Sequence, residues 1–140
     1  MALRRSIIPA QNRRTQEFDV EGAATFLDGA IVLKDASEDI IEASADPAAI
    51  LGFAAGPAAG RTVDAGKTLV HLAGANRTFW VEAERVPTKD DIGKVFGTAA
   101  VGGVWGLDTT EATTKPMHVV DVDIERGLFE CDVVAANIQA

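Results

Sequence analysis

Residues 117–134 read MHVVDVDIERGLFECDVV, and this stretch decides the fold class. Its first half alternates apolar and acidic side chains, which places them on opposite sides of an extended chain. The alternating positions are Val120, Val122 and Ile124 on the apolar side and Asp121, Asp123 and Glu125 on the acidic side. Residues 125–127 read ERG and are expected to form a turn before a second run of the same kind. The pattern predicts an antiparallel hairpin with one buried and one wet face.

The chain from residue 18 to residue 116 repeats this organisation with shorter apolar runs, separated by Gly, Asp and Pro. Together with the hairpin they amount to roughly seven to nine strands at about ten-residue spacing, which favours a barrel or a sandwich. One short helical turn is expected at residues 88–93, because Thr88 can cap a helix start and Asp90 and Asp91 suit its first turn. We therefore predict a single all-β or mainly β domain over residues 18–140.

Residues 1–17 differ from the rest in charge and pattern. They hold Arg4, Arg5, Arg13 and Arg14, and the first fourteen residues contain no acid. The remaining chain has nine basic residues against 21 acidic ones, a balance of −12. Pro9 and the polar run after it have no apolar face, so we expect an extended, irregular arm that orders only against a partner. The four arginines are the predicted partner-binding residues of this arm.

Composition excludes several classes of function. The 140 residues carry a net charge of −8, and an acidic body repels the phosphates of nucleic acid. No apolar run has the length of a membrane span or of a secretory signal, so we expect a soluble protein. The one cysteine, Cys131, cannot form an internal disulfide and is expected to be a buried core thiol.

The patterns that could carry chemistry are weak. Residues 60–68 read GRTVDAGKT, which has one residue too many for a phosphate-binding loop and is followed by a strand pattern instead of a helix. His71 and His118 have no companions at metal-ligand spacing. Asp121 and Asp123 share a strand face, which suits cation binding or acid–base chemistry but equally suits a solvated face. We predict no enzyme activity, no cofactor and no metal.

The adjacent aromatic residues Phe79 and Trp80 must point to opposite faces of a strand. Which of the two faces outward stays open at this point. An outward tryptophan is a typical anchor of a protein interface, whereas a buried one is core. We regard Trp80 as the candidate interface anchor.

Three stretches of the chain combine small residues, turns and short strands in a recognisable order. They are GAIVL at 29–33 followed by 41–54 with its DPAAILG corner at 46–52, AGKTLV at 65–70, and 88–108 with DIGKVFG at 91–97 and GVWGLD at 103–108. In these stretches the chain resembles the small head decoration (cement) proteins of tailed bacteriophages. The resemblance covers most of residues 25–135 and leaves out the basic arm. It implies a compact β-barrel or β-tulip-like module without catalytic residues.

The resemblance also implies a place and partners. Such a module lies on the exterior of the virion after synthesis in the host cytoplasm. It binds the major capsid protein and neighbouring copies of itself, often as a homotrimer, with no nucleic acid and no membrane.

Two alternatives stay open. One is another virion structural subunit, such as a tail-tube or head–tail joining protein. The other is a small metal- or ligand-binding β-barrel that uses His118, Asp121 and Asp123.

Overall fold

A computed structural model describes residues 3, 5–21, 24–44, 46–56, 58–59 and 66–139, and every structural statement below refers to these ranges. The chain is mainly β, with 48% of residues in strands and 5% in helical turns, as predicted. The strands are β1 (Ile8–Gln11), β2 (Thr15–Asp19), β3 (Thr25–Phe26), β4 (Ile31–Lys34), β5 (Ile40–Glu42), β6 (Gly52–Ala54), β7 (Ala58–Ala59), β8 (Lys67–Leu72), β9 (Thr78–Val81), β10 (Val95–Val101), β11 (Val104–Asp108), β12 (Met117–Asp123) and β13 (Leu128–Val133).

The larger sheet has six strands in the order β1-β9-β13-β12-β10-β11, all antiparallel. Its centre is the predicted hairpin of β12 and β13, which pairs from Met117 opposite Val133 to Asp123 opposite Leu128. The pairing shifts between Val119 and Asp121, where β12 carries a bulge. The strand β10 changes partner along its length, because its first two residues pair with β12 and the remainder pairs with β11.

The smaller sheet has five antiparallel strands in the order β2-β8-β6-β4-β5, and a further two-stranded sheet joins β3 to β7. The six-stranded and five-stranded sheets pack together through aromatic side chains. Phe53 of β6 and Phe79 of β9 have ring centroids 4.3 Å apart. A second aromatic contact, Phe96 with Phe129, is edge-on at 6.1 Å and lies within the six-stranded sheet. The core therefore lies between the sheets, and burial of this apolar surface is the main stabilising contribution.

Neither sheet closes into a barrel. In the five-stranded sheet, a single parallel bridge joins Val20, just after β2, to Ile40 of the opposite edge strand. In the six-stranded sheet, a parallel bridge joins Ala83, which follows the second strand β9, to Leu107 of the edge strand β11. One bridge at each place is not a ladder, so the two large sheets of the described chain stay open. The β-barrel or β-tulip-like module that the resemblance implied is therefore corrected to an arrangement closer to a sandwich.

The expectation that residues 1–17 form an irregular arm is wrong for the residues described. β1 pairs with β9, and β2 pairs with β8, so this segment supplies an edge strand to each large sheet. Leu3 is buried, and Ile7 is only 2% exposed. The buried side chains of Leu3 and Ile7 supply the apolar contacts that the polar run at 11–16 lacks, and these contacts help to order the segment. The expected boundary after residue 17 is also wrong, because β2 continues to Asp19.

The expected short helical turn is present as a 3-10 turn at Lys89–Asp91, and a second one, not predicted, lies at Ala135–Asn137. Asp91 anchors the first turn: its carboxylate accepts hydrogen bonds from the Thr88 backbone and from the Arg85 guanidinium, all at 2.8 Å. Arg85 in turn lies over the rings of Phe96 and Phe129. The turn is therefore fixed to the six-stranded sheet by one buried carboxylate.

Candidate protein-binding surface

The outer face of the six-stranded sheet, opposite the core, is built around Trp80. Phe79 and Val81 point into the core, so Trp80 between them points outward, where it is half-buried. Residues that lie directly opposite each other in adjacent antiparallel strands share a face. The pairing Ile8–Trp80–Glu130–Asp121 therefore forms one row across β1, β9, β13 and β12. This settles which of the two aromatics faces outward.

One side of Trp80 borders a depression of about 470 Å³. Its apolar lining comes from Ile8, which is 44% exposed, and from Leu128, which is buried beneath it. Arg5 and Arg126 line its rim, and the Arg5 guanidinium donates to the Arg126 carbonyl at 2.7 Å. Two of the predicted partner-binding residues, Arg5 and Trp80, are therefore brought together.

The other side of Trp80 borders a second depression, of about 430 Å³. Ile92 and Ile124 line it and are nearly half exposed, and Lys89 stands beside them. Ile124 was expected on the buried side of the hairpin, and that prediction is wrong because the alternation ends with β12 at Asp123 and the turn begins there. Trp80 lines both depressions, and we name the apolar area around it the Trp80 surface, consisting of the exposed or half-buried Ile8, Trp80, Ile92 and Ile124 with Leu128 buried beneath them.

The other arginines of the predicted arm do not join this surface. Arg13 and Arg14 are exposed in the turn between β1 and β2, so β1 separates them from Arg5. The Arg14 carbonyl accepts a hydrogen bond from the Leu72 backbone at 2.8 Å. The pKa of His71 is lowered by burial of its imidazole ring and by the nearby positive charge of Arg13. Arg4 lies outside the described residues, so the predicted role of the arm arginines as one group stays a prediction.

The residues of the metal-site alternative, His118, Asp121 and Asp123, lie on the same outer face. Each of them interacts with a neighbouring residue of the hairpin. His118 Nδ1 and Asp132 Oδ1 are 3.0 Å apart. Asp123 accepts a hydrogen bond from the Arg126 backbone at 3.1 Å and holds the hairpin turn. Asp121 and Asp123 do share a face, as predicted. Among the residues described, no group of three or more His, Cys, Asp or Glu side chains is placed to hold a metal ion.

A residue that the sequence did not single out is Glu130, which is only 4% exposed. Its Oε2 atom accepts hydrogen bonds from Thr78 Oγ1 at 2.7 Å and from Gln11 Nε2 at 2.8 Å. From the alternation along β13 alone, Glu130 is predicted to lie on the solvent-exposed face. Its burial depends on Gln11 from β1, a strand that the sequence did not predict.

Trp105 of the GVWGLD stretch and Cys131 have structural roles. Trp105 is buried and donates its indole N–H to Glu42 at 2.8 Å. Cys131 is a buried core thiol, as expected, and burial raises its pKa. Most of the GRTVDAGKT motif, residues 60–65, lies outside the described residues. Its last two residues begin the strand Lys67–Leu72, and a strand in place of a helix was predicted here.

No protein-family model matches the chain, and no curated protein sequence is significantly similar to it. Within the described ranges, no helix is long and apolar enough to cross a membrane.

Proposed function

We propose that the chain is a head decoration (cement) protein of a tailed bacteriophage. In this function it binds the outer surface of the head, contacts the major capsid protein and neighbouring copies of itself, and stabilises the capsid lattice. The proposal rests on the sequence resemblance at residues 25–135 and on the Trp80 surface. Its finer parts, the trimeric state and the position on the virion exterior, come from the resemblance alone.

The observation that carries the binding role is the position of Trp80 between two apolar depressions. Isolated exposed apolar side chains are normal on protein surfaces, but a continuous apolar area around a tryptophan is typical of an interface. Trp80 already packs in its row between Ile8 and Glu130, so it loses little conformational freedom when a partner covers it. Tryptophan and arginine are the residues most enriched at interface hot spots, and Arg5 stands beside it.

The charges around the Trp80 surface are mixed, and this suits a specific orientation of the partner. Arg5 and Arg126 lie on one side together with Asp28, whereas Asp121, Asp123 and Glu125 lie on the other together with Lys89. Charges at the rim of an interface contribute more to orientation and to association rate than to affinity. A modest contact of this kind, repeated over a capsid lattice and between neighbouring copies, gives strong overall attachment through effective concentration.

The test is binding of the purified chain to heads that lack it, assembled from the major capsid protein whose gene is expected to neighbour that of this chain. Co-sedimentation should carry the chain into the head pellet in a saturable way. Electron microscopy of the complex should show added density at regular positions on the outer surface. Density confined to the tail or to the head–tail joint would overturn the proposal in favour of the other virion subunit, and no association at saturating concentration would also overturn it.

A further inference from the structure

His71 of β8 has a buried ring nitrogen that no group in the described structure satisfies. Its Nδ1 atom is removed from solvent and has no hydrogen-bond partner among the described residues. The residues directly opposite it in the sheet, Thr15 of β2 and Phe53 of β6, are uncharged and supply no partner. A buried polar nitrogen without a partner is costly, so the protonation state of this ring matters for the fold.

This environment accommodates a neutral imidazole better than a protonated one. A neutral ring carries one proton and can leave Nδ1 without it. The protonated ring carries an N–H at both nitrogens, so Nδ1 of His71 then becomes a buried donor without an acceptor. Protonation therefore adds an unsatisfied N–H and a positive charge to a partly buried position.

The charges around His71 also oppose its protonation on balance. Arg13, in the turn between β1 and β2, acts on the ring with a positive charge, and Asp28, in the turn before β4, acts with a negative one. The residues two positions away on either side along the chain, Leu69 and Ala73, are uncharged. Burial has the largest effect, Arg13 adds to it and Asp28 offsets it least, so the pKa of His71 is lowered.

The neighbour of His71 that can leave the sheet is β2, because β2 is an edge strand and β6 is an interior one. All side chains of β2 except Phe18 are exposed, so little apolar burial holds it. Lys67 pairs with Glu17 at 3.7 Å and with Asp19 at 4.0 Å, but ion pairs this exposed contribute little. A strand held mainly by backbone pairing belongs to the least stable parts of a fold.

We propose that protonation of His71 releases β2 and the turn before it from the edge of the five-stranded sheet. When β2 lifts away, water reaches the ring and hydrates both the new N–H and the positive charge. Arg13 moves away from the protonated ring in the same step. The fold thus contains an acid-sensitive edge, which does not depend on the proposed head-binding function.

The direction of the pH dependence follows from the lowered pKa of His71. Because folding favours the neutral ring, the closed edge is fully stable above the pKa of a free histidine, about 6.5. Its stability is lost progressively as the pH falls through that value towards the lower pKa of the folded state. Carboxylates ordinarily titrate near pH 4, so a change between about pH 7.5 and pH 5 reports histidine.

Amide hydrogen exchange of the full-length, ¹⁵N-labelled chain, measured by NMR in this pH range, follows the release. Protection factors are compared, since they remove the pH dependence of the intrinsic exchange rate. We expect the protection of the β2 amides to fall about fivefold or more at pH 5, where a free histidine is mostly protonated. It should also stay below the protection of β12 and β13 throughout, because β2 leaves without global unfolding.

Two histidine variants assign the effect. His71→Asn keeps a small polar side chain that does not titrate, so the protection of β2 should become independent of pH in this range. His118→Asn is the matched control. It removes the other histidine of the chain, which lies 3.0 Å from Asp132 in the six-stranded sheet, and it should respond to acid like wild type.

Two charge variants keep the proposal testable even if His71→Asn does not fold. Arg13→Gln, in an exposed turn, removes the like charge and should reduce the acid-induced loss of β2 protection, whereas Asp28→Asn should increase it. Protection of β2 that acid leaves unchanged, that equals that of β12 and β13, or that falls equally in His71→Asn would overturn the proposal. An identical acid response of wild type and both charge variants would also overturn it.

Discussion

Ile8 of β1 lies directly opposite Trp80 of β9 in the six-stranded sheet, so the N-terminal strand completes the Trp80 surface. The preceding residue, Ile7, points the other way into the core. One short segment thus contributes to both stability and the candidate interface. Deleting residues 1–14 would remove both at once, and point variants are needed to separate them.

Ile7→Ala should destabilise the fold strongly, whereas Ile8→Ala should not. Ile7 is 2% exposed, and removing a buried isoleucine side chain costs about 2–5 kcal/mol. Ile8 is 44% exposed, and its truncation should change the free energy of unfolding by no more than about 0.5 kcal/mol. Urea denaturation followed by circular dichroism measures both values. Equal stability of the two variants would show that the N-terminal segment is not docked as described.

Gly52→Ala should also destabilise the fold, and Gly56→Ala is its matched control. Gly52 lies in β6 between β4 and β8, and an added Cβ would collide with the backbone carbonyl oxygen of His71. Strands cannot separate without loss of their pairing, so we expect a cost of at least about 1–3 kcal/mol. An added Cβ at Gly56 meets nothing within 4 Å. Thermal denaturation should give a lower midpoint for the first variant only, and a normal midpoint would contradict the close β6–β8 contact.

Asp91 makes the stability of the fold sensitive to acid. The Arg85 guanidinium and the Thr88 backbone hold the pKa of Asp91 well below its usual range. A carboxylate whose pKa is depressed by folding stabilises the native state at pH values above its unfolded pKa of about 3.9. That stabilisation is lost progressively as the pH falls below this value towards the folded pKa.

Asp91→Asn should therefore cost about 1–3 kcal/mol at pH 7 and less at pH 2, because the carboxyl of the unfolded chain is protonated there and most of the charge-dependent stabilisation is already lost. Asp90→Asn, in the same turn but exposed, should behave like wild type. Urea denaturation at a series of pH values between 7 and 2 gives the comparison. If the loss of unfolding free energy in Asp91→Asn were the same at every pH, the hydrogen bonds of the cap, and not the charge of the carboxylate, would stabilise the turn.

Cys131 should be unreactive in the native state. It is fully buried in β13, and burial raises the pKa of its thiol, so both access and the thiolate fraction are low. An aromatic disulfide reagent at pH 8 should label it only at the rate at which the protein unfolds, and at once in urea. Rapid labelling without urea would contradict the packing of β13 against the core.

The sequence predicted the fold class because alternation in β12 and β13 is a local signal that the core reinforces. It also predicted the turn at Lys89–Asp91, where Thr88 and Asp91 lie close in sequence. It failed for β1 and β2, because their residues have little alternation of their own and become ordered by pairing with β9 and β8, far away along the chain. Edge strands of this kind are fixed by tertiary contacts and not by local propensity.

The candidate site was predicted only in part. The alternation rule required Phe79 and Trp80 to face opposite ways, but the choice between them depends on Phe53, which contacts Phe79 from the other sheet. The nearness of Arg5 to Trp80 and the burial of Glu130 both depend on the position of β1. These relationships could not be read from spacing along the chain, because Phe53 and Phe79 are 26 positions apart and the other pairs are more than fifty positions apart.

The central claim is that the Trp80 surface binds the capsid, and the affinity of Trp80→Ala for heads tests it most directly. Its matched control is Leu69→Ala, which truncates an exposed residue of β8 in the other sheet. Both variants should keep the wild-type thermal midpoint to within a few degrees. In co-sedimentation with purified heads, we predict that Trp80→Ala binds about 30-fold more weakly, as for an interface anchor worth about 2 kcal/mol, while Leu69→Ala binds like wild type. Wild-type affinity of a folded Trp80→Ala variant would contradict the account.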